Sequence, residues 1–173
     1  MIILQTNLLG KVSEFKNSII ILNGVYNDPS NIFRFSEQED NFLEYFRELD
    51  EDNNKIIFLS PIPIIDNPYN FSEGNMKLVN MIKNNKVSEF KIKRSIHENN
   101  LKEFRNFEEY IKNKTKNVYF LDLDNIFCDH AFCYSIKDGF ILLQDKYHQS
   151  GYTAKMINDE IINKINSLNK INK

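Results

Sequence analysis

The sequence has 173 residues, enough for one domain and too few for two ordinary ones. Lys and Arg total 22 against 24 Asp and Glu, a formal net charge of −2, so no nucleic-acid partner is expected, because phosphate neutralisation needs a basic excess. Hydrophobic residues at 42 % and charged residues at 27 % indicate a globular chain, and no apolar run nears the ~20 residues that span a bilayer. The start, Met1-Ile-Ile-Leu-Gln-Thr-Asn7, lacks the basic and long apolar regions of a signal peptide.

In chain order, Leu8 to Phe15 reads as helical. Ser18-Ile-Ile-Ile-Leu-Asn23 is a short apolar run of the kind that forms a buried parallel strand. Ser36-Glu-Gln-Glu39 has the capping-box pattern and opens a helix with Phe42, Tyr45, Phe46 and Leu49 at helical spacing. Lys55-Ile-Ile-Phe-Leu-Ser60 is a second strand, stopped by Pro61 and Pro63. Residues 73–114 read as one or two amphipathic helices, the first carrying Leu78, Val79, Met81 and Ile82. The second carries Leu101, Phe104, Phe107, Tyr110 and Ile111. Asn117-Val-Tyr-Phe-Leu-Asp122 is a third strand, and Gly139-Phe-Ile-Leu-Leu143 a short strand or hairpin arm. A helix from about Gly151 to Leu168, apolar at Met156, Ile157, Ile161, Ile162 and Ile165, closes the chain. Strands separated by helices predict an α/β sandwich with a parallel sheet, covered on both faces, as one domain over residues 1–173. Ligands bind at the carboxyl edge of such a sheet.

Cys128 and Cys133 have four residues between them, His130 among these. Free thiols, a local disulfide and a metal site all fit that spacing. A closed zinc site wants four ligands, and His97 and His148 lie far off in sequence, so no metal is expected. His97 and His130 have no partner at catalytic or ligand spacing, so each is expected to face solvent or to bond locally.

The segment Asp145-Lys-Tyr-His148-Gln-Ser150-Gly151 lies between a strand-like run and a helix. A carboxylate three residues before a His in a tight turn can accept a hydrogen bond from one ring nitrogen. That fixes the tautomer and leaves the other nitrogen to take a proton from a nucleophile. The plain alternative is a surface loop in which Ser150 caps the helix.

The ordered set Phe120-Leu-Asp122, Ile126-Phe-Cys128, Cys133, Asp138-Gly139, Asp145, His148, Ser150 and Ala154 resembles the C-terminal end of SGNH (GDSL-like) hydrolases. The nearest likeness is to the SGNH domains attached to bacterial membrane O-acyltransferases that acetylate surface polysaccharide such as lipopolysaccharide. The resemblance implies a three-layer α/β/α sandwich of flavodoxin-like type and an esterase or acyltransferase without cofactor. In it His148 is the general base, Asp145 orients it, and Cys128 and Cys133 form a disulfide. It further implies an acylated carbohydrate or acyl donor as partner, a membrane acyltransferase or the missing front of the domain beside it, and a place on the extracytoplasmic face of a bacterial membrane. Asn27, in the loop after the first strand, is the candidate oxyanion donor, against a simple Asn-Asp-Pro turn.

The family's nucleophile is a Ser in a Gly-Asp-Ser motif after its first strand, and no Gly-Asp-Ser occurs here. Only eighteen residues precede Ile19, where the family places a strand, the Ser loop and a crossover, so the N-terminal strand and nucleophile segment are expected to be missing. The alternative is a degenerate, non-catalytic module that binds glycan or serves as structure. Val118-Tyr-Phe-Leu-Asp122-Leu-Asp124 also matches, in text, the Asp-x-Asp of haloacid-dehalogenase-type phosphatases. The expected reading there is a strand end whose acidic residues cap the next turn.

Overall fold

The computed structural model describes residues 15–23, 35–65, 90–145 and 148–170. Its contacts divide the described residues into two compact units, one within Met1–Pro61 and Asn100–Asp122, the other within Ile62–Asn99 and Leu123–Lys173.

The first unit holds a parallel sheet of β1 (Ile19–Leu22), β2 (Lys55–Leu59) and β4 (Val118–Leu121), in the order β1-β2-β4. Register places Ile20, Ile56 and Val118 side by side, then Leu22, Phe58 and Phe120. Helix α1 (Phe35–Glu51) links β1 to β2, and α3 (Lys102–Lys112) precedes β4. Both connections step across the sheet in the same direction. Because parallel crossovers are right-handed, they set both helices on one face.

That face is filled by Leu43, Phe46, Leu49, Phe104, Phe107 and Ile111 against Ile20, Leu22, Ile56 and Phe58. Phe58 is its hub, stacked on Phe120 at 5.5 Å and edge-on to Phe107 at 5.8 Å, geometries that suit the ring quadrupole. Period-2 alternation turns Ile57 and Leu59 to the opposite face, and they are 0 % and 2 % exposed. Both faces are therefore covered, as an α/β sandwich requires. Buried Asn54 fastens the entry to this sheet: its Oδ1 accepts the Ser18 N–H at 2.9 Å, and its Nδ2 donates to the Phe15 carbonyl at 2.7 Å.

The second unit contains β3 (Lys91–Lys93), α2 (Arg94–Asn100), the four-residue α4 (Asp124–Phe127), β5 (Phe132–Tyr134), the hairpin β6 (Ile136–Lys137) and β7 (Phe140–Ile141), and α5 (Gly151–Lys170). Strand β3 pairs antiparallel with β5, and β6 with β7. Along α5 the buried residues are Thr153, Ile157, Ile161 and Leu168. Ile162, expected on the apolar stripe, is 53 % exposed. The expected helix with Leu78, Val79, Met81 and Ile82, and the helical reading of residues 8–14, lie outside the described residues.

Candidate functional site

The hairpin β6–β7 turns through Asp138 and Gly139, at φ 53° and 83°. Asp-Gly suits a two-residue turn that needs both central residues in the left-handed region. The chain then doubles back on itself. Leu143 bridges Gln149 antiparallel, Gln144 N–H donates to the His148 carbonyl at 2.7 Å, and Ser150 N–H donates to the Leu142 carbonyl at 2.9 Å. These bonds close the base of a short loop whose ends are Asp145 and His148.

Within it the acid grips the histidine twice. Asp145 Oδ1 accepts the His148 backbone N–H at 2.9 Å, and its Oδ1 and Oδ2 lie 2.9 and 2.8 Å from Nδ1. A carboxylate only accepts, so Nδ1 carries the hydrogen in the neutral ring and Nε2 keeps the lone pair. The His148 side chain is 71 % exposed, so that lone pair is open to an incoming hydroxyl.

Helix α5 starts at this loop because Ser150 caps it. Ser150 Oγ accepts the Thr153 N–H at 3.1 Å and donates to the Ile141 carbonyl at 2.5 Å, while Thr153 Oγ1 donates to the Leu142 carbonyl at 2.9 Å. Both residues are buried. Ser150 is thus a cap committed to backbone partners, in the family's position but not in a nucleophile's situation.

Cys128 and Cys133 face each other across an antiparallel bridge and are joined as a disulfide. Asp129 shapes the enclosed loop. Its Oδ1 accepts the Ala131 and Phe132 N–H groups at 2.7 and 2.8 Å, and its Oδ2 accepts the Tyr134 hydroxyl at 2.5 Å. The Tyr134 bond first, then the two backbone donors, hold its carboxyl well below the usual carboxylate range.

Over residues 8–163 the chain matches the family model described as SGNH domain (fused to AT3 domains). The chain belongs to this SGNH family. It is an SGNH-type module of a hydrolase- or esterase-like family whose members are fused to AT3 acyltransferase domains, and neither a curated protein nor a solved structure matches it. No described helix is long and apolar enough to cross a membrane.

The remaining expectations for this SGNH domain divide. Asn27 lies outside the described residues. His130 is exposed and lines an open cavity with Lys93, Arg94 and Phe132. Asp122, at the carboxyl end of β4, accepts a 2.5 Å bond from Arg105 Nη2. Asp124 opens α4, and its carboxylate faces α2. Its Oδ1 is 3.0 Å from His97 Nε2, and its Oδ2 is 3.7 Å from Arg94 Nη2.

His97, expected to face solvent or to bond locally, is therefore corrected: it is 0 % exposed and paired with a buried carboxylate distant in sequence. The two lie 27 positions apart, so no spacing rule could have joined them. What joins them is the pairing of β3 with β5, which the sequence reading did not contain.

Proposed function

We propose that this SGNH domain supplies the base half of a Ser-His-Asp machine that moves acyl, above all acetyl, groups on bacterial surface glycans. His148 Nε2 takes the proton of a serine hydroxyl as the serine attacks the acyl donor. Asp145 holds the ring and stabilises the imidazolium that results. His148 then returns the proton to the leaving group and activates the acceptor, a sugar hydroxyl or water, to release the acyl-serine. The observation that carries this reading is the double attachment of His148 to Asp145 at an exposed turn.

The serine comes from outside these 173 residues, in the same polypeptide or in a membrane acyltransferase partner, because they contain no Gly-Asp-Ser. In a flavodoxin-like order 2-1-3-4-5, three parallel neighbours wound in one direction correspond to strands 3, 4 and 5. Strand 1, which the family's serine follows, then belongs beside β1, whose second edge has no partner among the described residues. The joined Cys128–Cys133 pair suits an oxidising, extracytoplasmic setting. Phe140 and Tyr152, stacked at 4.5 Å and about half exposed, stand on the two elements that bracket the turn. They offer an apolar surface against which the C–H face of a sugar ring packs.

The test is esterase activity on p-nitrophenyl acetate, with labelling by a serine-reactive fluorophosphonate. The 173-residue chain gives neither. The same chain joined to a Gly-Asp-Ser strand and loop encoded upstream, or mixed with a neighbouring membrane acyltransferase, gives both, and His148→Ala removes turnover. Upstream DNA with no Gly-Asp-Ser codons and no adjacent gene for membrane helices would favour the second reading, a non-catalytic glycan-binding module.

A further inference from the structure

The catalytic reading leaves one buried group unused. His97 sits at 0 % exposure with Nε2 bonded to Asp124, and its Nδ1 is a buried polar atom without a hydrogen-bond partner among the described residues. The sulfurs lie near this ring: one ring nitrogen of His97 and the Cys128 and Cys133 sulfurs are within 4.8 Å of one another. We propose that reduction of the Cys128–Cys133 disulfide turns this cluster into a binding site for zinc or a similarly thiophilic divalent ion, held by His97 Nδ1 and the two thiolates.

Three features of the cluster fit a metal better than chance packing. First, with Nε2–H donated to Asp124, Nδ1 keeps its lone pair and has no hydrogen-bond partner among the described residues. A metal-ligating imidazole characteristically donates its other N–H to a carboxylate in just this way. Second, Cys128 and Cys133 are directly opposite residues of an antiparallel bridge, with Cα atoms 3.9 Å apart. Both side chains therefore leave the same face. Two thiolates bound tetrahedrally at Zn–S ≈ 2.3 Å stand about 3.8 Å apart, a separation that facing side chains reach by rotation about the Cα–Cβ bonds. Third, all three residues are at least nine-tenths buried, so the loss of hydration falls on groups that already lack it.

The oxidised pair excludes the ion, because a disulfide offers no thiolate. A dithiol reductant donates two electrons and two protons, breaking the S–S bond and leaving two thiols. Metal binding then expels both thiol protons to solvent. Three protein ligands leave a fourth position, which water fills.

The test uses the full chain, reduced with a dithiol and desalted without oxygen, and titrated with cobalt(II) as the optical probe. Expected are the intense visible bands of tetrahedral cobalt, a thiolate charge-transfer band, an end point at one ion per chain, and bleaching by zinc. The oxidised chain shows none of these. Asp124→Asn weakens binding about 10–100-fold, and His97→Gln weakens it further. X-ray absorption on the zinc form of the unaltered chain shows two sulfur neighbours and an imidazole nitrogen, a result that does not depend on either variant folding. No tetrahedral bands from the reduced chain, or a zinc shell without imidazole, overturns the proposal. So does undiminished affinity in folded His97→Gln.

Discussion

Asp145 Oδ2 lies 2.8 Å from His148 Nδ1 while Asp145 Oδ1 accepts the His148 backbone N–H at 2.9 Å, so one carboxylate fixes both the ring and the chain that carries it. The two residues are three positions apart, and the bridge between Leu143 and Gln149 holds the segments that carry them together. That local character explains how a short segment can hold an oriented acid–histidine pair at an exposed place.

The pair is exposed, and its value lies in orientation more than in stability. In the serine-supplied enzyme, His148→Ala and Asp145→Asn each lower acyl transfer by about 10²–10⁴-fold. Each changes unfolding free energy by no more than ~1 kcal/mol, as exposed ion pairs do. Transfer kinetics beside urea denaturation separate the two effects.

Ser150 behaves in the opposite manner. Ser150→Ala leaves the Thr153 N–H without its cap and costs about 0.5–2 kcal/mol. The loss appears as a lower urea midpoint at an unchanged slope.

Tyr45 is buried, and its hydroxyl has no partner among the described residues. Burial, and then the charge of Glu48, push its pKa up to about 12. Tyr45→Phe removes an unsatisfied polar atom and stabilises the chain by ~1 kcal/mol, measured by the same denaturation.

Asp129 predicts an acid response. Its carboxyl ionises more readily in the folded chain than in the unfolded one, so the stability it contributes is complete above the ordinary Asp pKa of about 3.9. That stability is lost as pH falls from there through the lower folded value. Stability measured from neutral pH down to strong acid falls more steeply below about pH 4 in the unaltered chain than in Asp129→Asn. Equal slopes would contradict the assignment.

The first unit was legible because its signals are local. The runs at Ile19–Leu22, Lys55–Leu59 and Val118–Leu121 are short and apolar, and the Phe42-Tyr45-Phe46-Leu49 spacing belongs to a helix. Asp145 and His148 were legible for the same reason, being three residues apart. Strands β3 and β5 were missed: each has three residues, and Lys91-Ile-Lys93 carries one apolar side chain. Such strands exist only through their pairing, and that pairing also brings His97 to Asp124. The cysteine spacing alone left thiols, disulfide and metal open, and the disulfide came from the family's habit.

The central claim concerns the hydrogen on one imidazole, and long-range ¹H–¹⁵N correlation NMR reads it directly. With His148 in its neutral form, the account predicts that Nδ1 carries the proton and Nε2 gives the shift of an unprotonated nitrogen. Asp145→Asn should abolish that preference. A neutral His148 protonated at Nε2 in the unaltered chain would contradict it, since the nitrogen meant to accept the serine proton would already be occupied.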